Sequence, residues 1–241
     1  MKYGAVLAAI AGVAAALPGS RRATRPSRSS SVNHKDDRFP QFSSNWAGAV
    51  QIGTGITRVQ GTVTVPHLSG GDANTAASAW VGIDGDTCQT AILQTGVSFF
   101  ADGSLDAWYE WIPNGAVSFT NFQFAAGDQI RMTVDASSRR AGVATLENLT
   151  GGGSVSHTFT RTPSSLCETN AEWIVEDFES NGQLVPFANF GTVTFTNASA
   201  TSSAGTITPS GATIIDIRQG SSVLTNCAVS GNDLTCSYAG N

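Results

Sequence analysis

The chain has 241 residues, of which 13% are charged and 26 are Gly, a balance that suits an exported β protein and excludes a disordered chain, a coiled coil or a helical bundle. Its charges are unevenly placed: from residue 41 onward there are 6 Arg, no Lys and 16 Asp or Glu, a net charge near −10 against −5 for the whole. Such a body has no basic footprint for phosphate, which excludes nucleic acid as a partner, and it gains little positive charge as pH falls, which favours tolerance of acid.

Lys2 precedes an apolar run from Ala5 to Leu17 with small residues at Ala14 and Ala16, the pattern of a signal peptide, here over residues 1–18. The run is too short to span a bilayer, so the expected product is secreted and extracellular, a soluble monomer with no membrane association after signal removal. Residues 19–42 are basic and polar without apolar periodicity. They predict a short propeptide, with Arg21-Arg22 a processing site and its cations lying on the anionic body; the alternative is a plain linker. One domain is expected over 43–241.

From there the pattern is strand after strand. Val59, Gly61, Val63 and Val65 alternate with Arg58, Gln60, Thr62 and Thr64, as Ile130, Met132 and Val134 do with Arg131, Thr133 and Asp135, the period of a half-buried strand. Further strand runs fall at 78–84, 90–95, 107–112, 118–124, 142–147, 155–160, 171–178, 190–196 and 212–218, separated by turn signals such as Gly70-Gly71-Asp72 and Asn181-Gly182. Val223–Val229 and Leu234–Tyr238 read as a hairpin around a four-residue loop, Ser230 to Asp233. That hairpin sets Cys227 opposite Cys236 and leaves Cys88 to pair with Cys167, as export into an oxidising compartment allows. So many short strands predict an all-β fold, an antiparallel two-sheet β-sandwich of the concanavalin-like jelly-roll kind. Two glycosylation triplets occur, Asn148-Leu149-Thr150 and Asn197-Ala198-Ser199.

Several chemistries are poorly supported. His67 and His157 lie ninety residues apart, no HExxH occurs and the cysteines are better used as disulfides, so neither a metal nor another cofactor is expected. There is no GxSxG elbow, and His157 shares an inward strand face with Val155 and Phe159, where it reads as a packing residue. Asp86-Thr87-Cys88 only touches the Asp-Thr-Gly pattern of paired-aspartate proteases and has no second copy.

Carboxylates, amides and indoles remain. Alternation along 171–178 puts Glu172, Ile174, Glu176 and Phe178 on one face and Ala171, Trp173, Val175 and Asp177 on the other. A carboxyl beside Ile or Phe is partly desolvated and suited to proton transfer in acid; the alternative is that both glutamates face solvent. Gln94 closes the apolar run from Ala91, where an amide ordinarily marks a strand end at the surface. A Cys88–Cys167 bridge would tie the segments carrying Gln94 and Glu176 together and stabilise the fold by roughly 4 kcal/mol on chain entropy.

The blocks Ser44-Asn45-Trp46-Ala47-Gly48, Trp80-Val81-Gly82-Ile83-Asp84-Gly85-Asp86, Thr90-Ala91-Ile92-Leu93-Gln94-Thr95-Gly96, Asp106-Ala107-Trp108-Tyr109-Glu110-Trp111 and Cys167 to Phe178 (CETNAEWIVEDF) together resemble the glutamic peptidases, or eqolisins. The resemblance runs from about Ser43 to Tyr238. It implies two seven-stranded antiparallel sheets and an endopeptidase that cleaves protein or peptide substrates in acid and is insensitive to pepstatin. It also implies a catalytic pair, Gln94 and Glu176, and cleft residues Trp46, Trp80, Asp84, Trp108, Glu110 and Phe178, for which core and edge packing is the competing role. Ile112 stands where the family has an aromatic, and Ala47 where Gly is common.

Peptide hydrolysis needs a base for water, an acid for the leaving amine and a donor for the developing oxyanion. One glutamate can serve as base and then acid, and a glutamine amide donates without titrating. A histidine base would be protonated at pH 3 or 4, where a carboxylate of pKa about 4 is half ionised. The alternatives are a jelly-roll glycoside hydrolase using Glu110 and Glu176 or a carbohydrate-binding module whose tryptophans stack on sugars.

Overall fold

The computed structural model describes residues 22–23, 41–68 and 72–240. The expected signal peptide, and the expected propeptide apart from Arg22, Ala23, Gln41 and Phe42, lie outside the described residues.

Every regular element described is a strand. One sheet runs in the order Ser222–Val223, Thr213–Gln219, Trp46–Ile52, Asn170–Glu176, Ala76–Ile83, Leu93–Phe100, Leu105–Trp111 and Val117–Ser118, with Gln41–Ser43 pairing in parallel beside Thr213–Gln219. The other runs Ser154–Phe159, Ala141–Asn148, Gln129–Ser138, Arg58–Thr64, Thr192–Ser202, Asp233–Tyr238 and Thr225–Ser230, with Gly205–Ile207 added at Thr192–Ser202. The described sheets thus have nine and eight strands in place of seven each, because short pieces of two or three residues add to them, some at an edge and some beside an inner strand.

Residues of even period fill the space between the sheets. Val59, Val63, Ile130, Met132 and Val134 of one sheet meet Ala77, Val81, Leu93, Trp173 and Val175 of the other, all buried, and apolar surface removed from water there is the main stabilising term. Trp173 donates its indole N–H to the Gln60 carbonyl at 2.8 Å, so this core indole keeps its polar tip paired. His157 packs inward as expected, stacked on Tyr109 with centroids 4.0 Å apart.

Three expectations need correction. The run 118–124 is a strand only at Val117–Ser118. Beyond it the chain crosses from one sheet to the other, and Phe119, Phe122 and Phe124 plug the end of the sandwich; their apolar pattern reflects burial without a ladder. The 90–95 strand is Leu93–Phe100, so Gln94 lies near its start, not at a surface end. The last hairpin turns on Gly231-Asn232 alone, between Thr225–Ser230 and Asp233–Tyr238. Gly231 takes φ +63, and Cys227 still pairs directly with Cys236. The other disulfide joins Cys88 to Cys167.

A small separate sheet follows Phe178. Glu179–Ser180 and Gln183–Leu184 form a hairpin, and Arg22–Ala23 adds to it antiparallel, Arg22 opposite Ser180 and Ala23 opposite Glu179.

Candidate active site

Directly paired residues on neighbouring strands share a face, so the register maps the face of the nine-stranded sheet that turns away from the core. Three rows cross it: Val50, Glu172, Gly82, Gln94 and Glu110; then Gly48, Ile174, Trp80, Gly96 and Trp108; then Trp46, Glu176, Ser78, Ser98 and Asp106. Gln94 and Glu176 therefore lie on one face, two rows and two strands apart. A second apolar cluster covers it, including Trp46, Trp80, Trp108, Ile92 and Ile174. Gln94, Glu172 and Glu176 are each 0% exposed, so the arrangement with both glutamates in solvent is not realised.

Glu176 is held by neutral donors. Its Oε1 accepts from Trp46 Nε1 at 3.1 Å and Asn45 Nδ2 at 3.3 Å, and its Oε2 from Trp80 Nε1 at 2.9 Å. Gln94 Nε2 donates to Glu110 Oε2 at 2.7 Å, which fixes the plane of the amide. The Trp80 indole fills the row between the two. Its N–H reaches Glu176, while a Cβ added at Gly82 would meet its Cζ3 at 2.9 Å and the Gln94 Cβ at 3.4 Å. Gly96 clears the rest of that row, since a Cβ there would meet the Ala79 carbonyl oxygen at 2.4 Å, Trp80 Cβ at 2.5 Å and Trp108 Cζ2 at 2.9 Å. Trp46 and Trp80 meet edge to face, 5.0 Å between centroids.

Glu172 sits apart from this chemistry. Its Oε1 accepts the Asp86 N–H at 3.0 Å, and burial, reinforced by the neighbouring Asp86 and Asp84 charges, pushes its pKa well above the ordinary carboxylate range. The carboxyl is lodged under the 84–88 loop.

Asp84, grouped with the cleft residues by resemblance, is placed differently. With φ +66 its carboxylate turns to the segment leading into Asn170–Glu176, accepting from the N–H groups of Cys167 at 2.7 Å, Glu168 at 2.9 Å, Thr169 at 2.8 Å and Asn170 at 3.2 Å. Asn170 Oδ1 reciprocates, accepting from Thr87 N at 2.9 Å and Cys88 N at 3.4 Å. These two hubs and the Cys88–Cys167 bridge clamp the segments that carry Gln94 and Glu176. Asp84, Cys88 and Cys167 are also the group of potential metal ligands among the described residues, but the sulfurs are bonded to each other and the carboxylate is occupied by backbone donors.

Trp108 and Phe178 line a cavity of about 400 Å³ together with Phe100, Asp106, Ser180 and Val185. It starts at Asp106, in the row of Glu176, and has the size and mixed lining of a small ligand site. Phe100 and Phe178 form one wall, their centroids 6.1 Å apart. The structure thus gathers Trp46, Trp80, Trp108, Glu110 and Phe178 around Gln94 and Glu176 and leaves Asp84 as a clamp. Two contributors had no role in the sequence reading. Asn45 stands beside Trp46 in a block that marked it without assigning a task. Gln219 donates to Asp177 Oδ2 at 2.7 Å and to the Ser44 carbonyl at 3.0 Å, and no local signal marks it.

The sequence profile of the peptidase A4 family matches residues 44–238. The chain belongs to the peptidase A4 family. Aspergillopepsin-2 of Aspergillus niger is 47% identical over 99% of this chain and 100% of its own length. Scytalidopepsin B of Scytalidium lignicola is 45% identical over 97% of each chain. A crystal structure of scytalido-glutamic peptidase with a transition state analog inhibitor superposes with a TM-score of 0.78 at 47% identity, covering 81% of this chain and 98% of that one. Aspergilloglutamic peptidase from Aspergillus niger superposes at 0.66 and 58% identity over 68% of this chain and 99% of its own. This A4 peptidase is therefore an enzyme of the peptide hydrolase class, and its two-sheet β-sandwich is the architecture of its structural relatives.

Proposed function

We propose that this A4 peptidase is a secreted endopeptidase that hydrolyses peptide bonds of protein and peptide substrates in acid through Gln94, Glu176 and one water molecule. The observation that carries the reading is the Glu176 carboxylate held by two indole N–H groups and an amide, on the same face as Gln94, with the Trp80 ring spanning the row between them. As carboxylate, Glu176 takes a proton from water while the water oxygen bonds to the scissile carbonyl carbon. Gln94 donates to the oxyanion that forms, an interaction made in the transition state and not in the ground state. Glu176 then gives the proton to the amide nitrogen as the C–N bond breaks, leaving a new carboxyl group and an amine. Glu110 acts through Gln94 by holding its amide plane, and the 400 Å³ cavity takes an apolar side chain of the substrate against Phe100, Trp108 and Phe178. Insensitivity to pepstatin belongs to the same reading, since the Asp86-Thr87-Cys88 triplet has no second copy in the sequence.

Residues 1–18 serve as signal peptide and 19–42 as propeptide in this reading. The backbone pairing of Arg22–Ala23 with Glu179–Ser180, directly after Phe178, supports it, since Ser180 belongs to the cavity lining. The glycosidase alternative would need the Glu110 carboxylate for proton transfer, yet Gln94 occupies its Oε2.

Acid digestion of haemoglobin or casein, set against reducing-sugar release from polysaccharides, tests the class of reaction. Glu176→Gln and Gln94→Ala should each abolish proteolysis with the fold retained. Appreciable cleavage by either folded variant would refute the catalytic pair.

A further inference from the structure

The fold treats the two Asn-X-Ser/Thr triplets differently. Asn148 is 4% exposed and fully engaged. Its Nδ2 donates to the Gln123 carbonyl at 3.2 Å and to Asp128 Oδ2 at 2.8 Å, and its Oδ1 accepts from Thr150 N at 3.0 Å and Gly151 N at 2.8 Å. The Thr150 hydroxyl oxygen accepts the Gln129 N–H at 2.9 Å. A sugar on Nδ2 would replace one of these donations and would have to fit beside Gly151, where even a Cβ would come within 3.0 Å of Nδ2. This triplet is a turn motif built from its own side chains.

Asn197 is the opposite case. It is exposed, with φ +51, at the irregularity between Thr196 and Ser199 where Thr192–Ser202 pairs with Arg58–Thr64. Ala198 turns into the core at 2% exposure, so the bulge pushes Asn197 outward. A left-handed backbone favours Asn by itself, but it requires neither an outward amide nor a hydroxyl two residues later. Around it the outer face of the eight-stranded sheet is polar: Thr194 and Thr235 hydroxyls lie 3.0 Å apart, and Arg58 pairs with Asp135 at 2.6 Å. This face lies on the far side of the sandwich from Gln94 and Glu176.

We propose that Asn197 is an N-glycosylation site of the exported protein and that Asn148 is left unmodified. The inference rests on the export reading above. In the transfer, Asn197 Nδ2 bonds to the anomeric carbon of a lipid-linked oligosaccharide, the bond from that carbon to the lipid pyrophosphate breaks, one amide proton is released and nothing is oxidised or reduced. A glycan here extends from the polar face and leaves the cleft open.

The test is secretion of the full chain from a eukaryotic host, with medium and cells assayed separately. Digestion with peptide N-glycosidase, which converts a glycosylated Asn to Asp, is then read by peptide mapping. The secreted chain should shift in mass and carry Asp at 197 and Asn at 148. Ser199→Ala, which keeps Asn197 in its backbone conformation, should abolish the shift and leave acid proteolysis unchanged. An unmodified Asn197 in the secreted chain, or a glycan on Asn148, would overturn the proposal. Recovery of the chain only in the cytosol would overturn the export reading and the glycan with it.

Discussion

Replacing Asp177 by Asn should stabilise the fold near neutral pH and change little in acid. Asp177 is 1% exposed. Its Oδ2 accepts from Gln219 at 2.7 Å, while its Oδ1 is buried without a hydrogen-bond partner among the described residues. Burial raises its pKa from 3.8 to about 7, with the Gln219 donation opposing the rise. A carboxyl whose folded pKa exceeds its unfolded one binds its proton more tightly in the native state. Its contribution is therefore fully present below the unfolded pKa and is lost as pH climbs through the folded value. A shift of roughly three units at about 1.4 kcal/mol each amounts to about 4 kcal/mol of stability lost between pH 4 and pH 8. Asn has the same shape and does not ionise. Urea unfolding followed by tryptophan fluorescence in a Glu176→Gln background, which removes self-digestion, reads the difference directly. The protein retaining Asp177 should lose about 4 kcal/mol more than the Asp177→Asn protein over that range. Glu172 and Asp216, whose pKa values are also raised by burial, contribute with the same sign in both proteins and cancel. Parallel pH dependences would refute the reasoning.

Glu110→Ala should lower kcat by about 100-fold with KM nearly unchanged, because a misplaced Gln94 amide costs transition-state binding. Glu110→Gln, which can still accept from that amide, should recover part of the loss. A raised KM with normal kcat would assign Glu110 to substrate binding instead. Serine pairs in place of the disulfides should destabilise unequally. With sequence separations of 79 and 9, chain entropy predicts a loss of about 4 kcal/mol for Cys88–Cys167 and about 3 kcal/mol for Cys227–Cys236; urea midpoints in the reverse order would count against that model. Gly96→Ala should cost roughly 1–3 kcal/mol or more, the range typical of overpacking, since the Ala79 carbonyl, the Trp80 Cβ and the Trp108 indole stand in the way of a methyl group. A thermal melt equal to the wild type would contradict this.

How far the sequence could be read follows from what each signal reports. Alternation along 171–178 told which side chains share a face, and the register bears it out, with Ala171, Trp173 and Val175 in the inter-sheet core and Glu172, Ile174 and Glu176 on the other side. It could not tell that the other side is buried too, because an outer face becomes dry only when loops from elsewhere cover it, as the 84–88 loop covers Glu172. The 118–124 run failed for a related reason, since apolar residues that plug the end of a sandwich look like a strand when only composition and spacing are visible.

By itself the sequence determined the β-sandwich, both disulfides and the acidic, cation-poor body, because these follow from local period, hairpin spacing and composition. Only the tertiary structure decided that Glu176 is held by Trp46, Trp80 and Asn45, that Gln94 is oriented by Glu110, and that Asp84 clamps a turn while Asp177 takes its donor from Gln219. Apart from Gln94–Glu110, which pairs across two consecutive strands, those contacts join segments far apart in the chain, and whether a buried carboxyl ionises or stays neutral depends on the donors that such pairing brings to it.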